Sequence, residues 1–317
     1  MNLEDAISPG RLHIYTDILK LKQEEVLGAY NWNKALCSSM QPLLHCLEVT
    51  LRNSIDCAIR HNPPPGATGL WRTDQAWIFD LPRYIGDRAF IRQRKRYKTD
   101  VHGNILHHNG QPLYLNTVWE EECIRKVSHR IKSTGKRVTA TRILSGLGFG
   151  FWTSLLSFRY EEPRNNSLLW PHLLCDVFPC KPGDIPRWVI EQKFIQIREL
   201  RNRLFHHEAI WKFHYRDPET GKSDYRRPIY GINASLQLLQ TAWKDMLEAL
   251  YWINPLRYTA FLSEGHQQRF TTLASRNGLL SYIKPEALHH CLDITHSQDI
   301  KTLLRDLNSK NAKTHQP

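Results

Sequence analysis

Between Ile185 and Trp211 an apolar residue returns every seven positions, at Ile190, Ile197, Leu204 and Trp211, with Leu200 between them. A strand alternates every two residues. A seven-residue period belongs to a helix that turns one stripe toward neighbouring helices. Pro186 suits the first turn of such a helix, so this segment alone commits the chain to helix-on-helix packing. Two others read the same way. From Arg11 to Arg60 the texture is helical after a start at Ser8-Pro9, with a second helix from about Trp32 that stripes Leu44, Leu47, Leu51, Ile55 and Ala58. The run HNPPPG ends it, since three prolines forbid continuation. INASLQLLQTAWKDMLEALYW predicts a further helix over Ile232 to Trp252.

The other segments fit around these helices. Residues 61–116 are rich in Pro, Gly and charge and read as a basic, loop-rich insertion, with helical texture returning at NTVWEEECIRKVSHRIKS, capped at Asn116. TATRILSGLGFGFWTSLLSFRY reads as a turn and a short buried helix, in which Gly146, Gly148 and Gly150 permit close packing rather than cradle a phosphate. Residues 253–317 read as a short mixed extension ending in a disordered polar tail, NSKNAKTHQP. Strand-like alternation is scarce and no internal repeat is present, so the expected class is all-α.

Charge narrows the partner. Lys and Arg number 43 against 31 Asp and Glu, a net charge of +12. That excess favours polyanions such as nucleic acid. The seven cysteines form no C-x-x-C pair, which points to a reducing, cytoplasmic setting. The N-terminus has no apolar core of a signal peptide, and no run approaches the ~20 residues of a membrane span.

One stretch fits neither a core nor a solvated face: RNRLFHHEAIW, residues 201–211. On a continuous helix Asn202 and His206 share a face, with Arg201 beside them and His207 on the apolar seam. A guanidinium, an amide and an imidazole gathered at the border of a seam can stabilise a charged phosphorane and exchange protons near neutral pH. They can also be a polar cluster that closes hydrogen bonds inside a bundle.

The string Arg-Asn, three residues, His-His, three residues, Trp resembles the HEPN superfamily signature, and within it the Abi-like (abortive infection, AbiD/AbiF-type) branch. LHCLEVTLRNSID (44–56) and LSGLGFGFWTSLL (144–156) resemble further segments of that branch, so the likeness covers patches of residues 11–252. It implies an all-α HEPN-type helical bundle over 11–252 that pairs as a homodimer. The implied activity is metal-independent endoribonuclease cleavage by the 2′-hydroxyl, without cofactor, in bacterial anti-phage defence. An antitoxin protein or an inhibitory small RNA is the implied restraint. The catalytic set would be Arg201, Asn202 and His206. A non-catalytic RNA-binding module of the same fold is the alternative.

Around that set, His207 reads as a packed neighbour that could substitute for His206, and Glu208 as an ion-pair partner for Arg201. Glu48 and Arg52 are either a surface pair or polar groups lent to the same cleft. For RNA contact the sequence offers Arg88, Arg92, Arg94, Lys95, Arg96 and Lys98 with interleaved aromatics, a second basic cluster from Arg125 to Arg142, and Arg203. Each basic group is also readable as a solvated face. Neither a carboxylate cluster for Mg²⁺ nor a zinc-ligand spacing stands out, so no metal is expected.

Overall fold

The computed structural model describes residues 6–62, 76–79, 81, 100–102, 104–108, 110–112, 119–161, 168–217 and 221–283. Arg88, Arg92, Arg94, Lys95, Arg96 and Lys98, the Asn116 cap and the polar tail lie outside these residues. What is described is mainly helical: α1 (Pro9–Leu19), α2 (Val26–His61), α3 (Trp119–Ser133), α4 (Ala140–Gly146), α5 (Phe149–Ser154), α6 (Leu174–Val177), α7 (Arg187–Phe205), α8 (Ile232–Ile253), α9 (Pro255–Ser263), α10 (His266–Leu273) and α11 (Arg276–Ile283). Two antiparallel two-stranded ladders complete it, β1 (His107–His108) with β2 (Gln111–Pro112) and β3 (His214–Arg216) with β4 (Ser223–Pro228). No described helix is long and apolar enough to cross a membrane.

The chain divides into two compact units: residues 1–42, 202–244 and 264–317, and residues 43–201 and 245–263. It passes between them within α2, α7 and α8, and once more at the end of α9. Local signals mark ends of helices, whereas in the first three the chain changes unit in mid-helix. In α2 the change comes at Pro42, whose missing N–H removes one rung of the helical ladder.

The first unit buries Leu12, Tyr15 and Ile18 of α1, Ala29, Trp32, Leu36 and Met40 of α2, Leu239 and Trp243 of α8, and Trp211. The Tyr15 and Trp211 rings meet edge to face at 5.0 Å. Burial pushes the Tyr15 phenol well above its usual range. α1 ends at Leu19, well short of the predicted second helix, because Lys20 takes a left-handed conformation. α2 then begins at Val26, six residues before the predicted Trp32.

α10 and α11 belong to this core, and residues 255–283 are helical rather than a mixed extension. Trp32 Nε1 donates to the Leu273 carbonyl at 2.8 Å, Gln240 Nε2 donates to that of Ala274 at 2.8 Å, and Trp243 stacks on Phe270 at 4.1 Å. A Cβ at Gly28 would lie 2.1 Å from the Tyr282 carbonyl oxygen, so α2 and α11 touch backbone to backbone only because that residue is glycine.

The second unit is centred on Phe194 of α7, whose ring meets Phe178 at 5.9 Å and Phe149 at 6.3 Å. The predicted seam residues Ile190, Ile197 and Leu200 are buried, as are all five residues of the α2 stripe. The glycine-containing segment forms two short helices, α4 and α5. Gly146 is used for close packing: a Cβ there would come within 2.7 Å of Val127 Cγ1 on α3.

Candidate active site

α7 does not run to Trp211. It stops at Phe205, and the chain reverses through a helix-ending turn. His206 N donates to the Asn202 carbonyl at 2.9 Å, His207 N to that of Leu204 at 3.1 Å, and Glu208 N to that of Arg203 at 2.9 Å. The last two are the paired bonds of a Schellman motif. His207 stands at the left-handed position of that motif, with φ 57°. Glycine is the usual residue there, and any other costs roughly 1–2 kcal/mol.

The helical extrapolation for His207 is thereby corrected. Past Phe205 the seven-residue count no longer applies, so His207 is exposed rather than packed on the seam. His206 and Glu208 are exposed as well. Trp211 does reach the core, but from the turn and not from the helix.

Three side chains from the same unit hold the backbone of this turn. Arg11 of α1 donates to the His207 carbonyl at 2.8 Å and to that of His206 at 3.4 Å. Asn33 of α2, only 3% exposed, accepts from Ile210 N at 3.0 Å and donates to the Glu208 carbonyl at 3.3 Å. Arg203 Nη2 donates to the Ala209 carbonyl, and its guanidinium lies 5.5 Å from the centre of the Phe213 ring. Every carbonyl from His206 to Ala209 thus accepts from a side chain, and the two imidazoles project from a fixed backbone. Arg203, read earlier as a phosphate contact or a solvated charge, is half-buried and spent on this scaffold. Burial pushes the nearby Cys37 thiol up to about 11, against the opposing pull of the Arg203 charge, so Cys37 stays protonated.

Arg201, the last residue of the second unit, has Glu48 of α2 as an ion-pair neighbour at 3.9 Å, with side chains 30% and 23% exposed. At that distance it is a charge contact without a direct hydrogen bond. Glu48 thus places a carboxylate beside Arg201, and Glu208 offers its backbone carbonyl to Asn33. Arg52, one turn beyond Glu48, is half-buried, and its Nε has no hydrogen-bond partner among the described residues.

Sequence reasoning missed Arg11 and Asn33. Asn33 did carry a signal, as a polar residue among Ala29, Trp32 and Leu36 on the buried stripe of α2. A buried amide must spend its hydrogen bonds on something. Arg11, exposed near the N-terminus, carried none. In the second basic cluster Arg125, Lys132, Lys136 and Arg137 are exposed, but Arg130 donates to the Gly146 carbonyl at 3.1 Å and Arg142 to that of Arg137 at 2.7 Å.

No family model, curated protein or solved structure matches the chain.

Proposed function

We propose that the chain is a metal-independent endoribonuclease of the HEPN type, with His206 as its proton-transfer group and Arg201 and Asn202 as phosphate-directed groups. The observation that carries the reading is the turn itself. A cluster serving only to close hydrogen bonds would direct its imidazoles inward. Here backbone carbonyls take the bonds from Arg11, Asn33 and Arg203, and both imidazoles face solvent. The left-handed His207 adds strain at that point, as functional residues often do.

In the proposed reaction the RNA 2′-hydroxyl loses its proton to an imidazole as its oxygen bonds to phosphorus. The bond from phosphorus to the 5′-oxygen breaks, and that oxygen takes a proton. The products are a 2′,3′-cyclic phosphate and a 5′-hydroxyl, so DNA is not a substrate. The Arg201 charge stabilises the phosphorane, and Asn202, on the helical face of His206, orients the phosphate. Glu48 lies 3.9 Å from that guanidinium, and Arg52, one turn beyond Glu48, is a second cation for the phosphate.

Two proton transfers call for two imidazoles. A homodimer that places two copies of His206 at one RNA supplies them, and His207 is the alternative second group. By its resemblance to abortive-infection proteins, the nuclease acts in bacterial anti-phage defence, restrained by an antitoxin protein or an inhibitory small RNA. The test is incubation of purified protein with single-stranded RNA and its DNA counterpart in EDTA, with product ends identified. Cyclic phosphate ends from RNA and intact DNA are expected. Tight RNA binding without cleavage would instead favour a non-catalytic RNA-binding module.

A further inference from the structure

Seven residues after His207 the chain forms the β3–β4 hairpin. We infer that this hairpin is a binding site for single-stranded RNA, with Tyr225 as a base-stacking platform and Arg226 and Arg227 as phosphate contacts.

The hairpin is exposed yet anchored. At its base, Ile229 N donates to the Phe213 carbonyl at 2.9 Å, and Gly231 N to that of Ile18 at 2.9 Å. The Arg203 guanidinium lies over Phe213 while bonding the Ala209 carbonyl, so one side chain braces both the hairpin base and the histidine turn. Outward from that base, Tyr225 is 72% exposed and Tyr215 is 51% exposed. Large aromatic faces left in water on a short, braced ribbon cover no core.

Their settings differ in a useful way. The Arg227 guanidinium covers the Tyr215 ring at 4.7 Å. Tyr225 meets His214 edge to face at 5.1 Å, which steadies the ring and leaves most of it open. Arg226 and Arg227 are exposed, and among the described residues no carboxylate forms an ion pair with either. Arg226 N bonds the Asp224 carboxylate at 3.0 Å, so the nearest acid on β4 is turned to its own backbone. Over residues 212–227 the sequence holds five cations (Lys212, Arg216, Lys222, Arg226, Arg227) against three acids.

Tyrosines interleaved with arginines on a two-stranded ribbon suit an unpaired strand, which offers base faces and phosphates together. A duplex hides its base faces, and a protein partner gives adjacent arginines no regular anion spacing. The choice of RNA over other single strands rests on the nuclease reading of His206.

The test uses full-length His206→Ala protein, so that binding is read without cleavage, and a short fluorescein-labelled single-stranded RNA followed by anisotropy. Tyr225→Ala is expected to weaken binding about tenfold, in line with one lost base stack, and Tyr225→Phe to leave it unchanged. Arg226→Ala with Arg227→Ala is expected to flatten the salt dependence by about 1.4 in log–log slope, for two phosphates at ~0.7 each. Unchanged affinity in Tyr225→Ala, or an equal loss for duplex DNA, overturns the proposal. If the unmutated protein cleaves RNA while Tyr225→Ala binds normally, the hairpin site fails and the nuclease stands. If the protein binds RNA through Tyr225 but never cleaves, the nuclease fails and the hairpin site stands.

Discussion

The body of α7 and the turn that follows it are neighbours in sequence and are held by different means. From Ile190 to Leu204 the helix is located by apolar side chains, with Phe194 among other aromatic rings and Ile197 and Leu200 on the seam. From His206 to Ile210 the backbone is located by polar side chains whose partners lie far away in sequence: Arg11 is 196 positions from His207, and Asn33 is 177 from Ile210. An apolar seam accepts any filling of similar volume. A backbone carbonyl held by an amide accepts only a donor in that place. The helix is therefore tolerant in chemistry and demanding in volume, and the turn is the reverse.

Substitutions can break or sharpen this contrast. The largest expected loss is from Phe194→Ala, about 3–5 kcal/mol by denaturant unfolding, because a buried ring leaves a cavity. Ile197→Leu, which keeps volume, is expected to cost less than about 1.5 kcal/mol. Asn33→Asp keeps shape in the turn's anchor but replaces the donor to the Glu208 carbonyl with a carboxylate oxygen. Its expected cost is about 2–3 kcal/mol, larger than that of Ile197→Leu. If Asn33→Asp proves the milder of the two, the turn is not held as described.

Smaller effects separate strain from support. His207→Gly relieves the left-handed backbone and is expected to raise stability by up to about 1 kcal/mol, while leaving the Arg11 and Asn33 bonds in place. The smallest effect is a pH dependence at His214, whose imidazole is held below its ordinary 6.5 first by burial and then by the Lys212 and Arg203 charges. Between that lowered value and 6.5 the unfolded chain binds more protons. Stability from this group is therefore complete above the window and falls as pH drops through it. Thermal melts on either side of the window should show the loss, and His214→Gln should remove it.

The same contrast explains what the sequence made legible. The seven-residue seam, the α2 stripe and α8 could be read because helical burial repeats at fixed spacing. The break at Phe205 could not, since the αL position is filled by histidine rather than the glycine that usually marks it. The place of α10 and α11 in the first core escaped for another reason. Their short apolar runs have meaning only beside Gly28, Trp32 and Trp243, which lie elsewhere in the chain. Of the candidate site, residue identities were readable at Arg201, Asn202 and His206. Their support by Glu48, Arg11 and Asn33 is a matter of tertiary geometry.

The most direct test of the turn as an active site is RNA cleavage by His206→Ala beside the parent protein, with thermal melts of both. The account predicts a loss of at least about 100-fold, as expected for a removed proton-transfer group, with an unchanged melting temperature because the exposed imidazole holds nothing in place. Cleavage at the parent rate by a normally folded His206→Ala protein would contradict it.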